Sequence, residues 1–292
     1  MAEVGLFLPQ LRMDFPTIEA RVHLAEELGF HSVWFMDHLT PPAGPGYDSF
    51  EAWTVASALA RTTERIHLGH LVLCDAFRHP ALLAKMAATL DVITEGRLEL
   101  GIGWGSVADE IERFGFGRAT NRERAERLGE TLRVVDLMFS GEPFDFDGRF
   151  FQLRDAVGRP TPHRGHIPIH LGGAGEQLTL PLVAEHADWW NCPSYAVDRL
   201  AELRPQTGSA RLSIQHPVGL AASSADREEV VAVAERRFGA WGGLLAGTPD
   251  EVAAALRAEV DQGAELFTIP FADFATPESL RLFAEEVLPA LR

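Results

Sequence analysis

A parallel (β/α)8 barrel is the fold this sequence predicts, and three observations predict it. Short apolar runs that read as strands alternate with helical patterns through most of the chain. About eight such runs fit within 292 residues. No G-x-G-x-x-G follows the first strand, where "FLPQLRMDF" stands instead, which argues against the rival doubly wound open sheet. Barrels of this kind commonly reach this length as one unit, so residues 1–292 are expected to form a single domain.

The elements follow in order. Val4 to Leu8 is the first strand candidate; Pro16, at a first helical position, opens a helix whose Ile18, Val22, Ala25 and Leu28 share one face and which Gly29 closes. Ser32 to Phe35 is the second strand, followed after a Pro/Gly loop by a helix near Phe50 to Arg61. Ile66 to Val72 and Pro80 to Ile93 make the third unit, and Leu98 to Ile102 is the fourth strand. Thr120 and Glu123 form a capping box ahead of a helix over Ala125 to Phe139. The rhythm then breaks over residues 140–166, rich in Gly, Pro and aromatics, which read as an insertion with a short hairpin at Phe144 to Phe151. Ile167 to Leu171, Ala187 to Asn191, Ser213 to Leu220 and Leu266 to Pro270 are the later strands. Helices are expected from near Gly175, Asp226, Thr248 and Thr276, the last two marked by Thr-Pro starts in "TPDE" and "TPES".

Bulk properties narrow the partners. The formal charge is -16 and no Lys/Arg cluster interrupts it, so nucleic acid and anionic membranes are not expected to bind. Nothing approaches the ~18 continuous apolar residues of a membrane span, and "MAEVGLFLPQLRMDF" lacks a signal pattern. Cys74 and Cys192 lie far apart, outside any C-x-x-C pattern, which suits a reducing compartment. A cytoplasmic protein acting on a small molecule is the expectation.

A barrel collects its chemistry where strands end, because the βα loops there converge on one pocket. Strand two ends in Asp37 and His38, strand three runs into "DAFRHP", strand four ends "GIGWGS", strand five "HLGGAGE" and strand six "DWWNCP". Gly101, Gly103 and Gly105, then Gly172, Gly173 and Gly175, leave backbone N–H groups free to face an anion, each loop just before a helix. A phosphate-bearing ligand fits. His38 beside Asp37 on a barrel rim reads as a proton-transfer site, since imidazole titrates near neutrality and a carboxylate next to it can orient the ring; the carboxylate can equally cap the loop. A metal is not expected: His67 and His70, at i and i+3 on a strand, face opposite sides, and His163 and His166 lack a carboxylate pattern. No G-x-S-x-G supports a serine hydrolase. His70, Cys74, Phe77, His79, Trp104 and Trp190 are candidates to line a substrate pocket, or are simply packed rim residues.

"GFHSVWFMDH", "HLGHLVLCDAFRHPALLAKMAATLDVITEGRLELGIGWG", "PIHLGGAG" and "HADWWN", taken in order, resemble the bacterial-luciferase-like family of flavin and deazaflavin oxidoreductases, and the likeness returns at "GTPDEVAAALRAEVDQGAELFTI". The resemblance implies a luciferase-like (β/α)8 barrel carrying an insertion and a tricyclic cofactor ring over the strand ends. By position it assigns His38, with Asp37, to catalysis near the reactive edge of the ring. It places a non-proline cis peptide at or near Leu71-Val72 against the ring, Gly103, Trp104 and Gly105 along the cofactor side chain, and Gly172, Gly173 and Ala174 at its phosphate. Coenzyme F420 is the implied cofactor, with FMN and a two-component monooxygenase as the alternative and a non-catalytic flavin- or deazaflavin-binding protein as a third reading. Relatives of this kind are often homodimers. One departure stands out: where the sugar-phosphate dehydrogenases of the family carry an acid just after the fourth-strand glycine loop, this chain has Ser106.

Overall fold

The computed structural model describes residues 1–42 and 46–292; part of the predicted Pro/Gly loop, residues 43–45, lies outside the described residues. The first half runs β1 (Glu3–Phe7), α1 (Phe15–Glu27), β2 (Ser32–Phe35), α2 (Ala52–Leu59), β3 (His67–His70), β4 (Leu73–Cys74), α3 (Pro80–Ile93), β5 (Leu98–Gly103), α4 (Ala108–Arg113) and α5 (Asn121–Ser140). A hairpin of β6 (Phe144–Asp147) and β7 (Gln152–Ala156) interrupts it. The second half runs β8 (Ile169–Gly172), α6 (Thr179–His186), β9 (Trp189–Cys192), α7 (Leu200–Leu203), β10 (Arg211–Gln215), β11 (Val218–Leu220), α8 (Arg227–Phe238), β12 (Leu245–Gly247), α9 (Pro249–Val260), β13 (Ala264–Ile269) and α10 (Pro277–Leu282).

Among the described residues, the main sheet is parallel throughout and ordered β3-β2-β1-β13-β10-β9-β8-β5-β4, and a further β3–β5 pairing closes it. Since β4 continues β3 after a break, eight strand positions circle the barrel, as expected. Alternate residues point inward and outward. The outward set, such as Val4, Leu6, Val33, Phe35, Leu68 and Leu100, packs against the helices, while Phe7, Trp34, Trp189 and Leu266 fill the barrel with Met36 above them. Trp34 needs space from its neighbours: a Cβ at Gly5 or Gly69 would lie 2.4 or 2.5 Å from its ring.

Local chemistry accounts for the helix ends. Asp14 caps α1 through the Thr17 N–H, with Pro16 at the second helical residue rather than the first. Thr120–Glu123 and Thr248–Glu251 form the capping boxes that open α5 and α9, and Gly141 ends α5 in the left-handed region at φ 73°. The helix expected near Gly175 begins at Thr179, four residues later.

Two predicted strands and the predicted hairpin differ from the structure. The run Ile66 to Val72 breaks after His70, with a cis Leu71-Val72 bond, and resumes as β4. Ser213 to Leu220 is two strands: Pro217 lacks the N–H a ladder needs, so β10 stays in the barrel while β11 turns out to pair with β12. The insertion hairpin reaches Ala156 rather than Phe151, and its turn is anchored by the buried Glu130 of α5, whose carboxylate accepts the N–H groups of Arg149, Phe150 and Phe151.

Candidate active site

The C-terminal strand ends open into a cavity of about 520 Å³. One wall begins at β2. The Gln10 amide bonds both the N–H and the carbonyl of Met36, ending the strand there and turning Asp37 and His38 onto the rim. The two side chains then part. Asp37 is buried and accepts from the Cys74 N–H at 2.8 Å and from Arg78 at 2.6 and 3.1 Å, tying the end of β2 to β4. Arg78 continues to Glu51, the N-cap of α2. Asp37 is therefore the loop-tying residue of the two readings open in the sequence, and its bonds do not run to His38.

The group that orients His38 is Glu110 of α4. Its Oε2 lies 2.8 Å from His38 Nδ1, and its Oε1 accepts the N–H groups of Leu39 and Thr40 at 2.7 and 3.0 Å. Glu110 is 3% exposed. A buried carboxylate held by two backbone donors is an acceptor toward the ring, so Nδ1 carries the hydrogen and Nε2 of the neutral imidazole keeps its lone pair. An acid after the fourth-strand loop is thus present four residues beyond Ser106, reached by the first turn of a helix. Sequence reasoning missed it because "VADEIER" offers three acids and no spacing distinguishes Glu110 from Asp109 and Glu112.

The floor comes from β3, β4 and β5. Leu71, Val72, Leu73 and Cys74 line the cavity, and Gly101 and Gly103 of β5 make room for them. A Cβ at Gly101 would lie 1.8 Å from the His70 carbonyl oxygen, and one at Gly103 would lie 2.7 Å from Val72 Cγ2. These two glycines serve close approach between strands, not an anion loop. Gly105 has φ +83°, and Trp104 beside it donates from Nε1 to Thr179 Oγ1 at 3.3 Å while Arg124 lies over its indole. Burial pushes the Cys74 thiol up to about 12, so it lines the wall as a neutral group.

The far end is the loop Gly172, Gly173, Ala174 and Gly175, leading into α6, with Thr179, Asn191, Pro193, Tyr195 and Gln215 around it. Gly173 has φ +123°, reserved for glycine. Among the described residues the N–H groups of Gly175, Glu176 and Gln177 meet no acceptor, and they precede the N-terminus of α6.

Of the residues singled out from sequence, Asp37, His38, Leu71, Val72, Cys74, Gly103, Trp104, Gly105, Gly172, Gly173 and Ala174 line this one cavity. His70, Phe77, His79 and Trp190 do not. His70 faces the helix layer, stacked on Trp53 with ring centroids 5.1 Å apart, and burial lowers its pKa to about 4. Phe77 packs on Phe116, and His79 caps α3 by accepting the Ala81 N–H. Trp190 is fully buried on the outward side of β9, its Nε1 donating to the Gly173 carbonyl. Alternation along β3 and β9 decides both misplacements, since a break after His70 and an inward Asn191 reverse which side faces the cavity.

Residues 2–242 match the family described as luciferase-like monooxygenase, a span that contains every barrel strand except β13. The chain belongs to the luciferase-like monooxygenase family. Among curated relatives, an F420-dependent glucose-6-phosphate dehydrogenase of Amycolatopsis mediterranei is 27% identical, over 92% of each chain. One with the same description from Microbacterium testaceum is 35% identical over 53% of this chain, a match that spans 46% of that relative's length. An F420-dependent hydroxymycolic acid dehydrogenase of Mycobacterium tuberculosis is 30% identical over 64% of this chain and 51% of its own. Solved luciferase-like folds superpose over nearly their whole length: an F420-dependent secondary alcohol dehydrogenase with TM-score 0.83 and 19% identity (100% of this chain, 99% of the other), and the EDTA monooxygenase of Chelativorans with 0.85 and 16% (99% and 93%). At those identities the superpositions establish the fold alone.

Proposed function

We propose that this luciferase-like protein is an oxidoreductase that transfers a hydride between coenzyme F420 and a small organic substrate. The observation that carries the reading is the pairing, in one cavity, of His38, whose Nδ1 is bonded to Glu110, with the glycine loop Gly172 to Gly175 that leads into α6. F420-dependent dehydrogenases among the curated relatives support the choice of cofactor.

The residues fit such a group. Leu71, Val72 and Trp104 offer apolar surface for a flat ring, and the loop Gly172 to Gly175 ahead of α6 suits a phosphate. Bound there, a deazaflavin supplies a two-electron hydride acceptor or donor. His38 Nε2 takes the hydroxyl proton of an alcohol as it is oxidised, Glu110 stabilises the imidazolium that forms, and the reverse transfer protonates a reduced carbonyl. Asp37 and Arg78 hold the rim on which His38 stands.

The substrate is neutral. Among the described residues lining the main cavity there is no Lys or Arg, and Glu110 at the His38 end repels a phosphate dianion. Arg113 stands only in a recess of about 90 Å³ beyond Glu110 and is half exposed. An alcohol or carbonyl without phosphate suits this cavity better than the sugar phosphate in the relatives' descriptions. A homodimer, the state the family resemblance implies, and a cytoplasmic location complete the proposal, the location supported by two buried cysteines left unpaired; among the described residues no helix is long and apolar enough to cross a membrane.

Parallel titrations with F420 and FMN, followed by tryptophan quenching and calorimetry, test the cofactor. F420 is expected to bind at micromolar concentration or below, with FMN weaker by about tenfold or more, a gap of about 1.4 kcal/mol. The reverse order assigns the monooxygenase reading, and binding of neither overturns the cofactor site.

A further inference from the structure

The opposite, N-terminal end of the barrel holds a second concentration of ligand-forming side chains. His31 precedes β2, His67 opens β3 and Glu99 is the second residue of β5, so three neighbouring strands deliver two imidazoles and a carboxylate to one place. The donor atoms all lie within 4.8 Å of one another. Glu99 Oε1 is 2.8 Å from His67 Nδ1, and the His31 and His67 rings face each other with centroids 4.5 Å apart.

We propose that His31, His67 and Glu99 form a binding site for one borderline divalent transition-metal ion, of the Zn²⁺, Co²⁺ or Ni²⁺ class. Imidazole nitrogen with carboxylate oxygen is the donor set those ions take, at about 2.0–2.2 Å, whereas Ca²⁺ and Mg²⁺ select oxygen ligands. Three further observations fit. His170 Nε2 bonds the other oxygen, Oε2, at 2.8 Å, which fixes Glu99 from behind in the way outer partners orient metal ligands. His31 and His67 are 29% and 27% exposed, so an ion can enter from solvent. Glu3 Oε2, 3.9 Å from His31 Nδ1, stands within reach as a fourth ligand, with water as the alternative.

Binding requires a lone pair on each nitrogen used. The hydrogen that His67 Nδ1 shares with Glu99 moves to Nε2, and the 2.8 Å contact widens to about 3.3 Å, the spacing of two ligands on a tetrahedral ion. Such an ion ties β2, β3 and β5 together at the end of the barrel remote from His38, where side chains serve stability rather than turnover.

The test uses full-length protein freed of metal with a chelator and titrated with Co²⁺, followed by visible absorption and by Zn²⁺ competition in calorimetry. One ion per chain is expected, with a tetrahedral or five-coordinate Co²⁺ spectrum. His31→Ala and His67→Ala are each expected to weaken binding by about tenfold or more, the size of effect seen for changes around a metal site. Zn²⁺ is expected to raise the melting temperature of the wild type and of His23→Ala, whose side chain is exposed on α1, but not of the two ligand variants. Absence of a saturable Co²⁺ signal up to millimolar metal, or binding unchanged in folded His31→Ala and His67→Ala, overturns the proposal. The readouts involve neither cofactor nor substrate, so they stand apart from the hydride-transfer reading.

Discussion

Which nitrogen of His38 carries hydrogen decides whether the ring can take a proton from substrate, and Glu110 makes that choice. Glu110→Gln keeps an oxygen for the Leu39 and Thr40 N–H groups but turns an N–H toward His38 Nδ1. That donor selects the tautomer with hydrogen on Nε2, which has no lone pair to offer. The variant is expected to bind cofactor as the wild type does, to lose about 10²-fold in kcat, and to show an altered pH profile, read from steady-state rates across pH. His38→Ala is expected to lose 10²- to 10⁴-fold in kcat with cofactor affinity unchanged. A wild-type rate in either variant contradicts the assignment. His38 was legible in the sequence because an imidazole stood at a strand end. Glu110 was not, because its role depends on where α4 sits over the rim, and Asp37 drew the role instead by adjacency alone.

The strand ends depend on close approach between β3 and β5. Gly103→Ala drives a methyl to 2.7 Å from Val72, a side chain on the cavity floor, so F420 affinity is expected to fall while the fold survives. Gly101→Ala meets the His70 carbonyl, which is backbone and cannot move aside, and is expected to destabilise by about 3 kcal/mol or to prevent folding, measured by urea unfolding. Glu130→Ala removes the acceptor for three hairpin N–H groups and is expected to cost about 2–3 kcal/mol and expose the β6–β7 turn to protease. Capping boxes made α5 and α9 readable, and strand alternation revealed the barrel rhythm. The split between β10 and β11 was signalled by Pro217, yet an apolar run that continues to Leu220 masked it. The hairpin anchor is a long-range contact from α5, which no local pattern records.

Across the whole molecule the barrel is layered: a His/Glu cluster at the N-terminal mouth, Trp34 and Trp189 in the middle, and the cavity above. Length and alternation were enough to anticipate the layers of strand and helix, whereas the interior polar cluster arises from which residues of distant strands meet, which only closure of the barrel determines. His70, buried against Trp53 in the helix layer, links the whole fold to pH. It stays neutral in the folded protein down to about 4, while in the unfolded chain it takes a proton near its ordinary 6.5. Its contribution is therefore present above pH 6.5 and is lost as pH falls toward 4, amounting to about 3 kcal/mol. Denaturant unfolding at pH 7 and pH 4.5 is expected to show a smaller difference in His70→Phe than in the wild type, and equal differences contradict the account.

The central claim is two-electron transfer through a neutral-substrate cavity with His38 as proton acceptor. The most direct measurement is anaerobic absorbance of F420 mixed with the protein and a panel of neutral alcohols, run beside glucose 6-phosphate and beside oxygen uptake with reduced FMN. Bleaching of the deazaflavin by a neutral alcohol, abolished in His38→Ala and absent with the sugar phosphate, is the predicted result. Oxygen consumption with reduced FMN and no change in F420 with any alcohol contradicts it.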